Sequence, residues 1–262
     1  ENTASADLEN LLSDAIRLQL RSDVPSGIFL SGGIDSSLLT ALAVKVSGQK
    51  ISTFSIGFRE SKFDESEYSR QVAEKLGTDH HPFIVSLDDA TELFDQVTGI
   101  YGEPFADSSA IPTLMVSRKA REHVTVALSG EGGDELFMGY GTYKWARRLQ
   151  DRAWRSGRHL LAFLLNQSGE SRNKRVAELL KFGPDTFLEG HIFSQEQYFF
   201  SEAELLENTG SLLGVGQAWF EEYIKARDEK GDQWSAAACQ SHFDQHYYLP
   251  DDLLVKVDRA SM

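Results

Sequence analysis

The stretch Phe29-Leu30-Ser31-Gly32-Gly33-Ile34-Asp35-Ser36-Ser37 constrains this chain more than any other. Ser26 to Leu30, small or apolar and preceded by Pro25, reads as a short buried strand. From Ser36 onward Leu38, Leu39, Leu42, Ala43 and Val46 recur at helical spacing, and Gly48 supplies a stop. The glycines therefore fall in a strand-to-helix turn. There the first N–H groups of a helix are unpaired and the positive end of its dipole is exposed, an environment suited to a phosphate. Gly32 and Gly33 admit an anion close to the backbone, and Ser31, Ser36 and Ser37 add hydroxyl donors. No Lys follows the glycines, which excludes a Walker loop, and the G-x-G-x-x-G dinucleotide pattern is absent.

The elements around this turn define the fold class. Leu8, Leu11, Leu12, Ala15 and Ile16 form an apolar stripe after Ser5 or Asp7 as cap, which predicts an opening helix. Ile51–Phe58 alternates as a strand should, and Asp64 with Glu67 resembles a capping box starting a helix that ends at Gly77. His81–Val85 is a third strand, helices follow over 88–101 and 110–122, and Val124–Leu128 is a fourth strand. Strands alternating with amphipathic helices predict an α/β fold, a parallel sheet with helices on both faces. Beyond residue 141 strand signals fade, so we expect a nucleotide-binding α/β part over 1–140 and a helical part over 141–262. The aromatic-rich stretch 187–223 reads as core.

A second glycine-rich loop, Ser129-Gly130-Glu131-Gly132-Gly133-Asp134-Glu135-Leu136-Phe137-Met138-Gly139-Tyr140, follows the fourth strand as the first loop follows the first. Ligands of such sheets bind at the carboxyl ends of the strands. Asp35 and Asp134 could there share Mg²⁺, a hard cation held by one or two carboxylates plus substrate phosphates. The alternative for Glu131, Asp134 and Glu135 is a solvated acidic turn.

Composition narrows the partners. With 26 basic and 40 acidic residues the net charge is −14, which argues against nucleic acid or an anionic membrane. One cysteine, Cys239, rules out an intrachain disulfide and fits a reducing cytoplasm; it reads as a small buried residue. No apolar run reaches the roughly 18 residues of a membrane span.

SGGIDSS resembles the pyrophosphate-binding loop of the ATP pyrophosphatases (the PP-loop, adenine nucleotide alpha-hydrolase-like fold). Together LSGGIDSS and LSGEGGDELFMGY resemble the synthetase domain of the glutamine-dependent asparagine synthetases. VPSGIF, FSIGF, LGTDHH, EPFADSSAIP and YLPDDLLVKVDRASM agree. The resemblance implies adenylation of the aspartate side-chain carboxylate by ATP with Mg²⁺, then displacement of AMP by ammonia. By the same resemblance Phe29, Leu30, Ser31, Gly32, Gly33, Asp35, Ser36, Ser37, Ile56, Ser129 and Gly130 hold ATP, and Asp35 with Asp134 binds metal. Glu131 matches the proposed base for the attacking nitrogen, and Tyr140 a tyrosine near the acyl-adenylate. Lys256 either faces the nucleotide phosphates or is a surface lysine. Asp107, Ser108 and Ser109 either contribute to the aspartate pocket or form a turn and helix cap. The β-lactam synthetases share the pattern, so adenylation of another carboxylate is the alternative, as is a nucleotide-binding module without catalysis.

Members of that family carry an amino-terminal glutaminase domain whose nucleophile is a first-residue cysteine. This chain opens Glu1-Asn2-Thr3, so ammonia is expected from a glutaminase domain missing here. Members also continue past the Ser261-Met262 motif with helices and a further catalytic lysine. Aspartate and ammonia are thus the expected small-molecule partners, with a homodimer left open. His242 and His246, four apart, have helical metal-ligand spacing but no evident third ligand.

Overall fold

The structure, a computed structural model, describes residues 2–59, 66–167, 171–183, 188–197 and 233–262. The predicted Asp64 cap and most of the aromatic stretch 187–223 lie outside the described residues. The chain divides into two compact units, 1–131 with 250–262, and 132–249.

The first unit is the α/β part. Its strands are β1 (Ser26–Phe29), β2 (Ser52–Phe58), β3 (Asp79–Val85) and β4 (Val126–Leu128), all parallel, in the order β3-β2-β1-β4. The helices are α1 (Asn2–Gln19), α2 (Ile34–Ser47), α3 (Ser66–Leu76), α4 (Leu87–Tyr101) and α5 (Ala110–Arg121). The helix α1 begins before the predicted caps. The fourth strand is shorter than expected because the Val124 N–H donates to Ala120 O at 2.8 Å and closes α5 instead.

Alternation along β1 divides the core. Ile28 packs with Ile16, Leu42, Ala43, Ile51 and Leu128 beneath α1 and α2. The next residue, Phe29, turns to the other face and packs with Phe54, Phe83, Val116 and Ala120 beneath α5. His80 serves this sheet as a structural residue. Its ring nitrogens lie 3.0 Å from Thr53 Oγ1 and 3.3 Å from Ser55 Oγ, and burial pulls its pKa down. His81 stacks on Phe54 and lies tilted against His123.

The second unit is helical among its described residues, with α6 (Gly133–Phe137), α7 (Gly141–Gln150), α8 (Arg152–Asn166), α9 (Ser171–Leu179), α10 (Leu188–Gln197) and α11 (Ala236–Phe243). Ala146, Leu149, Ala162, Leu180, Ile192 and Ala236 form its core. Cys239 is buried, as its composition-based reading implied. The rings of His242 and His246 stack 4.0 Å apart, and His246 Nδ1–H donates to the His242 carbonyl. Among the described residues no group of three or more His, Cys, Asp and Glu is arranged to hold a metal ion. From Asp244 to Leu253 the chain is π-helical around Pro250, whose missing N–H interrupts an α ladder. It then enters α12 (Leu254–Ser261), which packs on α4 and α5 in the first unit.

Asp244 is buried and accepts from Gln240 Nε2 at 3.0 Å. Burial, with Glu135 adding to it, pushes its carboxyl up to about 6 against the opposing hydrogen bonds of Gln240 and Tyr143. Between the ordinary 3.8 and about 6 the folded chain holds a proton that the unfolded chain has released. Stability therefore falls as pH rises through that window and levels off above it. Asp244→Asn keeps the acceptor without the charge. Thermal melts from pH 4 to 8 should show a shallower fall across the window and a melting point about 2–4 °C higher at pH 7.5.

Candidate active site

The strand order creates the site. The chain adds β2 and β3 on one side of β1, then crosses to place β4 on the other, so the order reverses between β1 and β4. Ile28 pairs with Leu128, and the loops after these neighbouring parallel strands leave the sheet side by side. This is the crevice where open α/β sheets bind ligands.

Two glycines let the backbones meet. A Cβ on Gly130 would stand 3.1 Å from Ser36 N and 3.2 Å from Asp35 Cβ, so the second loop lies directly on the first turn of α2. Gly32 has φ +88°, and a Cβ there would stand 2.7 Å from both Ser69 N and Tyr68 Cβ at the start of α3. Only glycine fits that conformation and that gap.

The rim of α2 is set up for an anion. Gly33 is its N-cap, and no side chain caps the helix. Ser31 Oγ lies 2.9 Å from Ser36 Oγ and accepts from Gly33 N at 3.2 Å, which fixes the loop. Ser37 Oγ is shielded from solvent and has no hydrogen-bond partner, a donor left over for a ligand. Asp35 sits in the first turn of α2. Leu30 is buried, and its N–H donates to Phe54 O at 2.8 Å. Phe29, the last residue of β1, and Ile56, within β2, are half-buried. Phe29 and Ser129 also line a cleft of about 690 Å³ along β4, together with Leu254, Asp258 and Ser261 of α12.

Glu131, the last residue of the first unit, faces a buried lysine. Lys256 on α12 has a side chain only 5% exposed, which settles the choice against a surface lysine. Its Nζ donates to Ser109 Oγ at 2.9 Å and lies 3.2 Å from Asp107 Oδ2 and 3.7 Å from Glu131 Oε1. Asp107 is fixed in turn, since Ser109 N and Oγ donate to its Oδ1 at 2.7 and 2.6 Å. Burial raises the Asp107 carboxyl, but the Ser109 bonds and the Lys256 charge outweigh it and hold the pKa below the usual range. Tyr101 stacks on Phe105 in the loop leading to Asp107, and its hydroxyl donates to the Lys256 carbonyl at 3.2 Å. Asp107 and Ser109 are thus both a turn ahead of α5 and the seat of a lysine, whereas Ser108 is exposed.

The second unit holds the remaining predicted residues. The Tyr140 hydroxyl donates to Glu135 Oε1 at 2.5 Å, and burial followed by this carboxylate drives its pKa up, keeping the proton on oxygen. Glu135 is no solvated turn residue. It is 1% exposed, and its carbonyl accepts from Ser241 Oγ at 2.6 Å. Asp134 lies against Gly139, where any Cβ would overlap its carboxylate. Asp35 and Asp134 belong to different units.

One participant and one pairing escaped sequence reasoning. Asp252 feels Asp107, Glu131 and Lys256, and burial first, then the like charges, pushes its carboxyl up to about 6. The available signal was its position four residues before Lys256, one helical turn away. Asp107 as the partner of Lys256 had no local signal.

A parallel sheet whose reversal point carries two glycine-rich loops defines a PP-loop α/β domain. The chain belongs to the asparagine synthase family, whose family model matches residues 7–262. A Methanocaldococcus jannaschii protein provisionally named asparagine synthetase [glutamine-hydrolyzing] 2 is 37% identical over 259 residues, covering 97% of this chain and 48% of that protein. Asparagine synthetase [glutamine-hydrolyzing] 1 of Bacillus subtilis is 30% identical over 264 residues, covering 100% of this chain and 41% of its own length. The chain thus spans less than half the length of these curated relatives. No helix among the described residues is long and apolar enough to cross a membrane.

Proposed function

We propose that this chain is the synthetase part of an ATP-dependent amidoligase that makes asparagine through an aspartyl-adenylate. The observation that carries the reading is the seating of Gly130 on Asp35 and Ser36, which joins a phosphate-binding helix end to the loop bearing Glu131.

In this reading the N–H groups at the start of α2 and the hydroxyls of Ser31, Ser36 and Ser37 take the β- and γ-phosphates of ATP. Phe29, Leu30, Ile56 and Ser129 line the adenosine, with the Gly130 backbone against the nucleotide. Asp35 and Asp134 are the carboxylates that would hold Mg²⁺, and the ion when bound would neutralise charge on the leaving pyrophosphate. A side-chain carboxylate oxygen of aspartate attacks the α-phosphorus, and the bond to the β-phosphate oxygen breaks. Ammonia then attacks the acyl carbon, its proton passes to Glu131, and the C–O bond to AMP breaks. Tyr140, its hydroxyl kept protonated beside Glu135, would be a donor to the acyl-adenylate, and Lys256 offsets the charge of Glu131. The nucleotide-binding part takes in most of residues 1–140 and the helical part most of 141–262, with residues 250–262 returning to the α/β unit. A glutaminase elsewhere in the protein would supply the ammonia, and the reaction belongs to the cytoplasm.

Labelled pyrophosphate should exchange into ATP only when aspartate and Mg²⁺ are present, and Asp134→Asn should abolish the exchange. Exchange driven by a different carboxylic acid would retain the chemistry and replace the substrate. ATP binding without exchange on any acid would sink the reading.

A further inference from the structure

We infer that Asp107 is a positioning residue: locked by Ser109, it draws the Lys256 ammonium away from Glu131 and so keeps that carboxylate basic. The inference rests on the proposed role of Glu131 as acceptor of the ammonia proton and assigns what sets its strength.

An ammonium has three N–H donors and no acceptor. Around Lys256 Nζ the two contacts at hydrogen-bond length go to Ser109 Oγ, 2.9 Å, and Asp107 Oδ2, 3.2 Å. Glu131 Oε1, at 3.7 Å, is left with a longer ion pair. Ser109 makes the arrangement one-directional. Its hydroxyl accepts from Lys256 while donating to Asp107 Oδ1, and its own N–H donates to the same oxygen, leaving Oδ2 for the lysine. The Asp107 side chain is 11% exposed and that of Glu131 29%, so water screens the first pair less than the second. The base therefore stands beside a cation whose strongest engagement is elsewhere.

The charges facing Glu131 include Lys256 on α12 and Asp252 four residues before it, with Asp107, ahead of α5, reaching the same ammonium. Tyr101 on α4 holds the lysine's backbone, not its ammonium. A cation next to a carboxylate stabilises the charged form and weakens it as a base. Sharing the lysine with Asp107 limits that loss. Removing the Asp107 charge acts twice on Glu131: it deletes a neighbouring anion and frees the ammonium to pair with Glu131 alone. Removing the lysine acts with the opposite sign.

The direct test is a ¹³C titration of the Glu131 carboxyl, its resonance identified by loss in Glu131→Gln. In Asp107→Asn the midpoint should fall by about one pH unit, and in Lys256→Met it should rise by a similar amount. Ser109→Ala retains both charges and should move the midpoint down by less. In kinetics, Asp107→Asn should shift the acid limb of ammonia-dependent asparagine formation to lower pH. Its plateau rate should fall roughly three- to tenfold, Asp107→Glu should recover much of it, and pyrophosphate exchange should persist. A Glu131 midpoint unmoved in both Asp107→Asn and Lys256→Met would overturn the inference and leave Asp107 a structural role. The midpoints are read without turnover. An unsubstituted protein lacking aspartate-dependent exchange would refute the adenylation reading, while the opposed shifts would still decide whether Asp107 sets the charge at Glu131.

Discussion

Glu131→Gln should separate the two halves of the reaction. The amide keeps the volume of the carboxylate and a hydrogen-bonding oxygen for Lys256, which retains Asp107 and Ser109. The amide cannot accept a proton at ordinary pH. Aspartate-dependent pyrophosphate exchange, which needs no base on nitrogen, should persist within a few-fold. Ammonia-dependent asparagine formation should fall by about 10²–10⁴, the usual contribution of a placed general base. Acid-quenched samples should then contain aspartyl-adenylate, stranded for want of the second step. Equal loss of exchange and amide formation would show that Glu131 acts on the adenylation or on the fold, and its assignment as base would fail.

The second large effect is expected at Gly32. Its φ of +88° costs an alanine roughly 1–2 kcal/mol. The added Cβ would also press to 2.7 Å on Ser69 N, a backbone atom of α3 that cannot swing aside. Together Gly32→Ala should lose about 2–4 kcal/mol of stability, readable as a lower urea midpoint. What relief is possible comes from moving the loop off α3, which would spoil its spacing to the phosphates it is proposed to hold, so ATP binding should weaken as well. Gly48→Ala is the control: Gly48 also has positive φ, +64°, but a Cβ there meets nothing within 4 Å. It should lose about 1 kcal/mol and leave nucleotide binding intact. Equal effects at the two glycines would mean that the contact with α3 is not felt.

The parts of the site readable in the sequence were those encoded locally. Ser26–Phe29 and the glycines after it announce a strand and a turn within a dozen residues, and the apolar spacing after Ser36 announces the helix. The same pattern repeated at Ser129 places a second loop on a second strand. What was not readable depends on residues distant in sequence. The burial of Lys256 cannot be seen in Leu254–Ser261, where a lysine on a short amphipathic helix looks solvated; its acceptor Ser109 is 147 residues away. The division of the chain was obscured for a related reason. A helix shows in its sequence which face is apolar, not which core receives it, so the step from helical segments back to the α/β unit at Pro250 carries no signal. The π-helical turn over Asp244–Leu253 is equally silent apart from Pro250.

The return of residues 250–262 to the first unit bears on how the protein is made. Residues 132–249 are an insertion in the middle of the α/β unit, and α12 reaches the ribosome exit only after all of them. The sheet and the first glycine-rich loop can assemble early, because β1 to β4 and α1 to α5 precede the insertion. Glu131 and Asp107 must then wait, two carboxylates without their lysine, until the inserted unit has been synthesised and the ends of the long loop are brought together. That closure costs little more than a shorter one would, since its entropy grows only logarithmically with length. Its effect lies in timing. The first glycine-rich loop is synthesised before the inserted residues and Lys256 after them, so a nascent chain with all four strands still lacks the cation that faces Asp107 and Glu131.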